Sequence, residues 1–146
     1  MIGIDALVGV LLHLAPAERD PSPSRSAASR IVSTAALAPA RWRPFQRCVE
    51  QRESNGIPTV VNSSGHAGLY QFSRAWSHGL PYMVADRLRD HGLSRGAAAA
   101  IRRDLSATPI QRWSATLQRV AFAAAISVPG NDRHWALAGS SCEALR

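Results

Sequence analysis

Residues 52–72 read RESNGIPTVVNSSGHAGLYQF, and the order of chemistries in this stretch decides how the rest of the chain is read. Glu53 and Ser54 close a segment in which Pro44 suits a first helical position and Phe45, Cys48 and Val49 share a face, and Asn55-Gly56 then stops the helix. Glu53 therefore falls at a helix C-terminus, where the local dipole disfavours a carboxylate. A glycine- and serine-rich segment follows to Gly68. The run Gly68-Leu69-Tyr70-Gln71-Phe72 is expected to be extended or to start a helix.

These parts suit a carbohydrate site. An acid that protonates a glycosidic oxygen near neutral pH must keep its proton, and a helix end packed against apolar residues favours that. A polar loop can wrap a sugar chain, an amide can hydrogen-bond acetamido groups, and an aromatic can stack on sugar rings. Gln71, Tyr70 and Trp76 offer those groups. The competing reading of Glu53 is a solvated carboxylate at a helix end.

Working outward, three further helices are expected: Pro81 to His91 closed by Gly92, Ser94 to Leu105, and Pro109 to Val128 ended by Pro129-Gly130. The last carries Ile110, Trp113, Leu117, Val120 and Ala124 at helical spacing, which reads as core. On the N-terminal side, residues 18–40 are rich in Pro, Ser and Ala, with a short apolar island at Ile31 and Val32, and read as a disordered linker. Residues 1–17 hold an apolar run from Ala6 to Leu14 ending in Ala-Pro-Ala. That run shares features with a signal peptide, but it lacks a basic start and Asp5 precedes it. It is too short to span a bilayer. Export by this segment, a misassigned start codon and release of a phage protein by lysis are the three expectations. The division is thus 1–40, apolar segment and linker, and 41–146, the domain.

The 146 residues carry 46% hydrophobic content and a net charge of +7, with no lysine. Residues 41–146 hold 14 Arg against seven acids, so the excess lies on the domain. A basic domain seeks polyanions, meaning nucleic acid, an anionic membrane or an acidic bacterial wall. The arginines interleave with Trp42, Trp76, Trp113 and Trp135, as on a nucleic-acid surface, but they are scattered and form no helix-borne stripe. Cys48 and Cys142 bracket nearly the whole domain and have no ligand spacing. They are either a bridge, in an oxidising compartment, or two unrelated thiols. The five histidines show no ligand spacing, and phosphate-loop, nucleophile-elbow and zinc-protease motifs are absent, so no metal and no cofactor are expected.

Glu53-Ser54, Pro58, Ser63-Ser64-Gly65, Ala67 and Gly68-Leu69-Tyr70-Gln71-Phe72 resemble the Glu-Ser … Gly-Leu-x-Gln signature of lytic transglycosylases. The spacing from Glu53 to Gln71 agrees with it. The likeness is to the transglycosylase-like, resuscitation-promoting-factor-type domain of actinobacteria and their phages. "CVEQRES" at 48–54 is similar to that domain's opening, Trp135 and Cys142 to its close, and "RWSATLQRVAFAAAI" to its long last helix. The resemblance covers roughly residues 41–142, and residues 78–106 are longer than in the shortest family members.

The resemblance implies a mainly α (α+β), lysozyme-like fold with a glycan-binding cleft. It also implies action on peptidoglycan between N-acetylmuramic acid and N-acetylglucosamine, with Glu53 as the catalytic acid and Ser64, Tyr70, Gln71 and Trp76 as substrate-binding residues. A Cys48–Cys142 disulfide, a monomer and a place at the cell wall outside the cytoplasm belong to the same expectation. A second carboxylate is the usual glycosidase arrangement. Glu50, three positions before Glu53, stands beside it on one helix face and reads as a solvated charge. A lone acid points to substrate assistance, giving either a 1,6-anhydro product or hydrolysis. The alternatives are a wall-binding or signalling module without turnover and an arginine-driven nucleic-acid binder.

Overall fold

A computed structural model describes residues 24–137 and 139–146. The expected signal-like segment and the first part of the linker lie outside these residues. Among the described residues five α-helices run in the order α1 (Arg25–Ala35), α2 (Arg43–Ser54), α3 (Leu80–Asp90), α4 (Arg95–Ala107) and α5 (Ala115–Ile126), joined by turns and short 3₁₀ segments. The architecture is mainly helical. The β content is two isolated antiparallel bridges, Val61 with Ala67 and Ala67 with Phe72. No helix among the described residues is long and apolar enough to cross a membrane.

The core is organised around α5. Its residues from Val120 to Ile126 are all buried, together with Leu117 and Gln118. The stretch 120–126 is apolar on every side and so must be enclosed, and its small alanines let neighbours approach closely. The helix is shorter than the expected 109–128 span. Ile110–Arg112 form a 3₁₀ turn, Trp113 is extended, and the Ser114 side chain accepts from the Leu117 N–H to start α5. The break is stabilised from outside the helix: the Trp113 indole N–H donates to the Thr108 carbonyl at 2.8 Å. Ile110 and Trp113 are nevertheless buried, as their spacing suggested.

The reading of residues 18–40 as a disordered linker is corrected from Ser24 onward. Ser24 caps α1, and Ala28, Val32 and Ala35 are buried on the face that packs against α3 and α5. Ile31 packs partly buried against the same core. The stripe Ala28, Ile31, Val32, Ala35 has helical spacing, but it is built mostly of small residues and gives a faint apolar signal. Side chains from other elements fasten the exit of α1. Arg87 of α3 donates to the carbonyls of Ala35 and Leu37 at 2.7 and 2.8 Å. Gln46 of α2 accepts from the Ala38 N–H and donates to the Ala36 carbonyl, both at 3.0 Å.

At the other end of the chain Cys48 of α2 is bridged to Cys142, with Cα atoms 5.6 Å apart. Arg146 pairs with the buried Asp132. The C-terminal segment is thereby closed back onto α2.

Candidate active site

The site begins at the last turn of α2. Asn55 adopts a left-handed backbone conformation, φ 51°, and ends the helix. This leaves Glu53 in the last turn of the helix with a quarter of its side-chain surface exposed, 25%. The Arg52 guanidinium lies against it, with Nε and Nη2 donating to the same oxygen, Glu53 Oε1, at 2.9 and 2.6 Å. Nη2 also donates to the Trp135 carbonyl at 2.8 Å.

Trp135 joins this helix end to the following loop. Its indole N–H donates to the Tyr70 carbonyl at 2.7 Å. Its ring packs on Phe72, Phe122 and Trp76, the last stacked at 5.8 Å. Trp76, half-buried in the 3₁₀ segment Arg74–His78, also meets the His134 ring at 4.9 Å. Glu53, the 70–71 turn and Trp76 are thus tied to one residue. Trp135 entered the sequence reading as one of four interleaved tryptophans and as the closing Trp of the resemblance. Nothing in the sequence marked its carbonyl and indole N–H as connectors, because those contacts span 83 and 65 positions.

The loop that carries Gln71 is fixed by backbone pairing. Ala67 and Phe72 exchange both N–H···O bonds at 3.0 Å, and the Gly68 N–H reaches the Val60 carbonyl at 2.8 Å. Between them the chain turns, with Gln71 at φ 49°. The Gln71 amide nitrogen donates to the Gly68 carbonyl at 3.0 Å and the Val60 carbonyl at 3.4 Å. Its Oε1 accepts no hydrogen bond among the described residues, and the residue is partly exposed. Ser64 lies in the exposed turn built on Asn62, whose side-chain oxygen accepts from the N–H groups of Ser64 and His66. It shares no hydrogen bond with Glu53, Gln71 or Trp76.

Tyr70 departs from its expected role. It is fully buried, stacked on Phe122 with ring centroids 4.1 Å apart, and offers no ring face to a sugar. Its hydroxyl donates to Glu50 Oε2 at 2.8 Å and accepts from the Gln46 amide at 3.3 Å. Burial, the Glu50 charge and the bond to Glu50 push its phenol far up.

Glu50 is corrected for the same reason. It is no solvated charge: Arg119 of α5 donates to Oε2 at 3.0 Å and to Oε1 at 2.6 Å, and the Glu50 side chain is only 16% exposed. Burial raises its carboxyl, but the bonds from Arg119 and Tyr70 and the Arg119 charge outweigh burial and hold it below 4.5. Glu50 and Glu53 therefore stand on one helix in different surroundings. One is engaged in binding α2 to α5, and the other is partly exposed and paired with Arg52.

Gln118 is a residue that sequence reasoning missed. Fully buried on α5, it accepts from the Leu69 N–H at 2.7 Å and donates to the carbonyls of Pro58, Ile110 and Trp113. A buried amide with all these partners holds the loop on either side of the candidate site to the central helix. A polar residue inside an otherwise apolar run, "TLQRVAFAAAI", was the available signal. Comparison of the chain with protein-family models, with curated proteins and with solved structures gives no match.

Proposed function

We propose that the protein is a peptidoglycan-cleaving glycosidase of the lysozyme-like type, with Glu53 as its single catalytic acid. The observation that carries the reading is the placement of one partly exposed carboxylate at the end of α2, joined through Arg52 and Trp135 to the Tyr70 carbonyl, next to Gln71 in the chain, and to the Trp76 ring. Glu50, the nearest second carboxylate in sequence, is engaged by Arg119 and Tyr70, which supports a one-acid mechanism.

In that mechanism Glu53 gives its proton to the glycosidic oxygen as the bond to C1 breaks. The neighbouring acetamido oxygen of the substrate bonds to C1 and takes up the developing positive charge. Glu53, now a carboxylate, removes the proton from an attacking hydroxyl, which forms the new bond to C1 as the acetamido oxygen leaves. A sugar C6 hydroxyl as attacker gives a 1,6-anhydro product, and water gives hydrolysis. Gln71 Oε1 is suited to accept from an acetamido N–H, and the partly buried Trp76 ring is suited to meet a sugar face with its exposed part. Tyr70 serves as a support beneath the turn. The arginine excess favours an anionic wall, and the disulfide is compatible with a site of action outside the cytoplasm.

A second reading is favoured by the Arg52–Glu53 ion pair, because an acid engaged by a guanidinium suits a wall-binding module without turnover. Muropeptide release from purified wall separates the two. Glu53→Gln is nearly isosteric and delivers no proton, so cleavage should fall by about 10²–10⁴-fold with the fold intact. Release by the folded variant at the wild-type rate would sink the glycosidase reading, and wild type that binds wall without releasing fragments would favour the module.

A further inference from the structure

His134 is an exposed side chain on a segment that is otherwise tied down. After α5 the chain turns at Gly130, φ 88°, into the 3₁₀ stretch Asn131–His134. The Asn131 amide donates to the Ala125 carbonyl at 3.1 Å, the buried Asp132 pairs with Arg146, and the Trp135 N–H returns to the Asp132 carbonyl at 3.0 Å. The imidazole is therefore carried on a fixed backbone. Among the described residues neither of its nitrogens has a hydrogen-bond partner, and its ring neighbours are Trp76 at 4.9 Å and Trp135 at 6.0 Å.

The aromatic geometry shows which side of Trp76 is crowded. The centroids of Trp76 and Trp135, Trp76 and His134, and His134 and Trp135 lie 5.8, 4.9 and 6.0 Å apart, a nearly equilateral triangle, so His134 stands beside Trp135 and not across the indole from it. Phe72, 6.0 Å from Trp76 and 5.6 Å from Trp135, falls on that same side. No aromatic neighbour covers the opposite half of the indole, and Trp76 is only partly buried. The imidazole is set at 73° to the indole plane, a polar wall beside an apolar floor. Trp135 also holds Arg52 on its carbonyl at 2.8 Å, so one residue separates this corner from the Arg52–Glu53 pair.

We propose that His134 is a sugar-binding residue, whose imidazole hydrogen-bonds a hydroxyl or acetamido group of an N-acetylhexosamine that lays its C–H face on Trp76. The inference rests on the glycan reading above and adds to it a polar group. A pyranose is apolar on its C–H faces and polar around its edge, so an indole and an imidazole set at a steep angle match both surfaces at once. The imidazole offers a donor nitrogen and, when neutral, an acceptor, which suits a hydroxyl in either sense. Because the backbone that carries it is already fixed, little ordering is required when the sugar arrives.

Calorimetric titration with N-acetylglucosamine hexasaccharide reads binding apart from turnover. His134→Ala should weaken it about fivefold, within the range of one neutral hydrogen bond. His134→Phe keeps a flat ring against Trp76 but has no nitrogen, so it should lose as much. His134→Gln, with an amide donor and acceptor, should recover part of the loss. Trp76→Ala should weaken binding about tenfold and make His134→Ala nearly silent on that background, because the imidazole acts on a sugar that the indole positions. The imidazole C–H resonances of His134, identified by their absence from His134→Phe, should shift when wild type is saturated. As His134 is exposed, its variants should keep the wild-type unfolding midpoint within a few degrees.

Wild-type affinity in His134→Ala, or no binding of the hexasaccharide by wild type, would overturn the proposal. So would wild-type affinity in His134→Phe, which would reduce His134 to a packing partner of Trp76, and so would His134 resonances that stay in place at saturation. Wall cleavage by wild type alongside any of these results would leave the glycosidase reading standing. Cleavage of wall by Glu53→Gln would remove the catalytic acid and leave the binding comparison readable.

Discussion

At the scale of single residues, Glu50 and Gly68 show how position changes the meaning of a side chain. Glu50→Gln leaves Arg119 without its counter-charge and Tyr70 with a weaker acceptor, so it should lower stability by about 1–2 kcal/mol, measured by denaturant unfolding. The pH dependence has a definite sign. The folded-state carboxyl of Glu50 lies below its ordinary value of 4.5, so its contribution is complete above that value and is lost as the pH falls through the lower folded one. Acid unfolding of wild type between about pH 5 and the folded value should be shallower in Glu50→Gln. An unchanged acid limb would mean that Glu50 carries none of this dependence.

Gly68 has φ +79°, and a Cβ there would meet Gln118 Oε1 at 2.2 Å. Gln118 cannot withdraw without abandoning Leu69, Pro58, Ile110 and Trp113. Gly68→Ala should therefore cost at least about 2 kcal/mol in thermal or denaturant unfolding, from the left-handed backbone and the displaced amide together. The sequence displayed the glycine and the amide, but only the fold sets one against the other.

At the scale of elements, α1 is the instructive case. A chain begun at residue 41 would lack Ala28, Val32 and Ala35 and uncover the faces of α3 and α5 they pack against. Arg87, half-buried, would lose its two carbonyl partners. Thermal unfolding of this truncated form should show a midpoint lower by several degrees, as expected for a loss of about 2–3 kcal/mol. An unchanged midpoint would return α1 to the status of a linker. The helices α2, α3 and α4 were legible because proline, serine caps and glycine punctuate them. The α5 boundary was not, since Ile110 and Trp113 continue its spacing while Gln118 and the Trp113 indole hold the backbone of that turn out of helix.

At the scale of the whole molecule, the Cys48–Cys142 bridge closes a loop of 94 positions and ties α2 to the C-terminal segment. Constraint of the unfolded chain by a loop of this length amounts to about 4–5 kcal/mol in the chain-entropy model. Reduction should lower the unfolding midpoint sharply, with intact mass rising by two hydrogens. Retention of the midpoint after verified reduction would show that packing around Cys142 and the Arg146–Asp132 pair hold the segment alone. Because the same segment supplies Trp135, on the proposed glycosidase reading reduction should also lower glycan cleavage more than it lowers helix content by circular dichroism.

The sequence by itself determined the helical character, the positions of α2, α3 and α4 to within about two residues, the burial of the Ile110–Ala124 stripe and the position of Glu53 at a helix end. These follow from local spacing and from caps whose partners lie within a few residues. It also contained Tyr70, Glu50, Trp135 and Gln118, but not their assignments. A tyrosine near an acid is written the same way whether its ring is exposed to a sugar or stacked beneath Phe122, and a glutamate is written the same way whether water or Arg119 faces it. Those outcomes depend on contacts of 20 to 83 positions, made only when α5 is enclosed and the C-terminal segment returns to α2. Burial and hydrogen-bond pairing are properties of the closed fold, and they decided which of the polar residues became supports and which remained partly exposed.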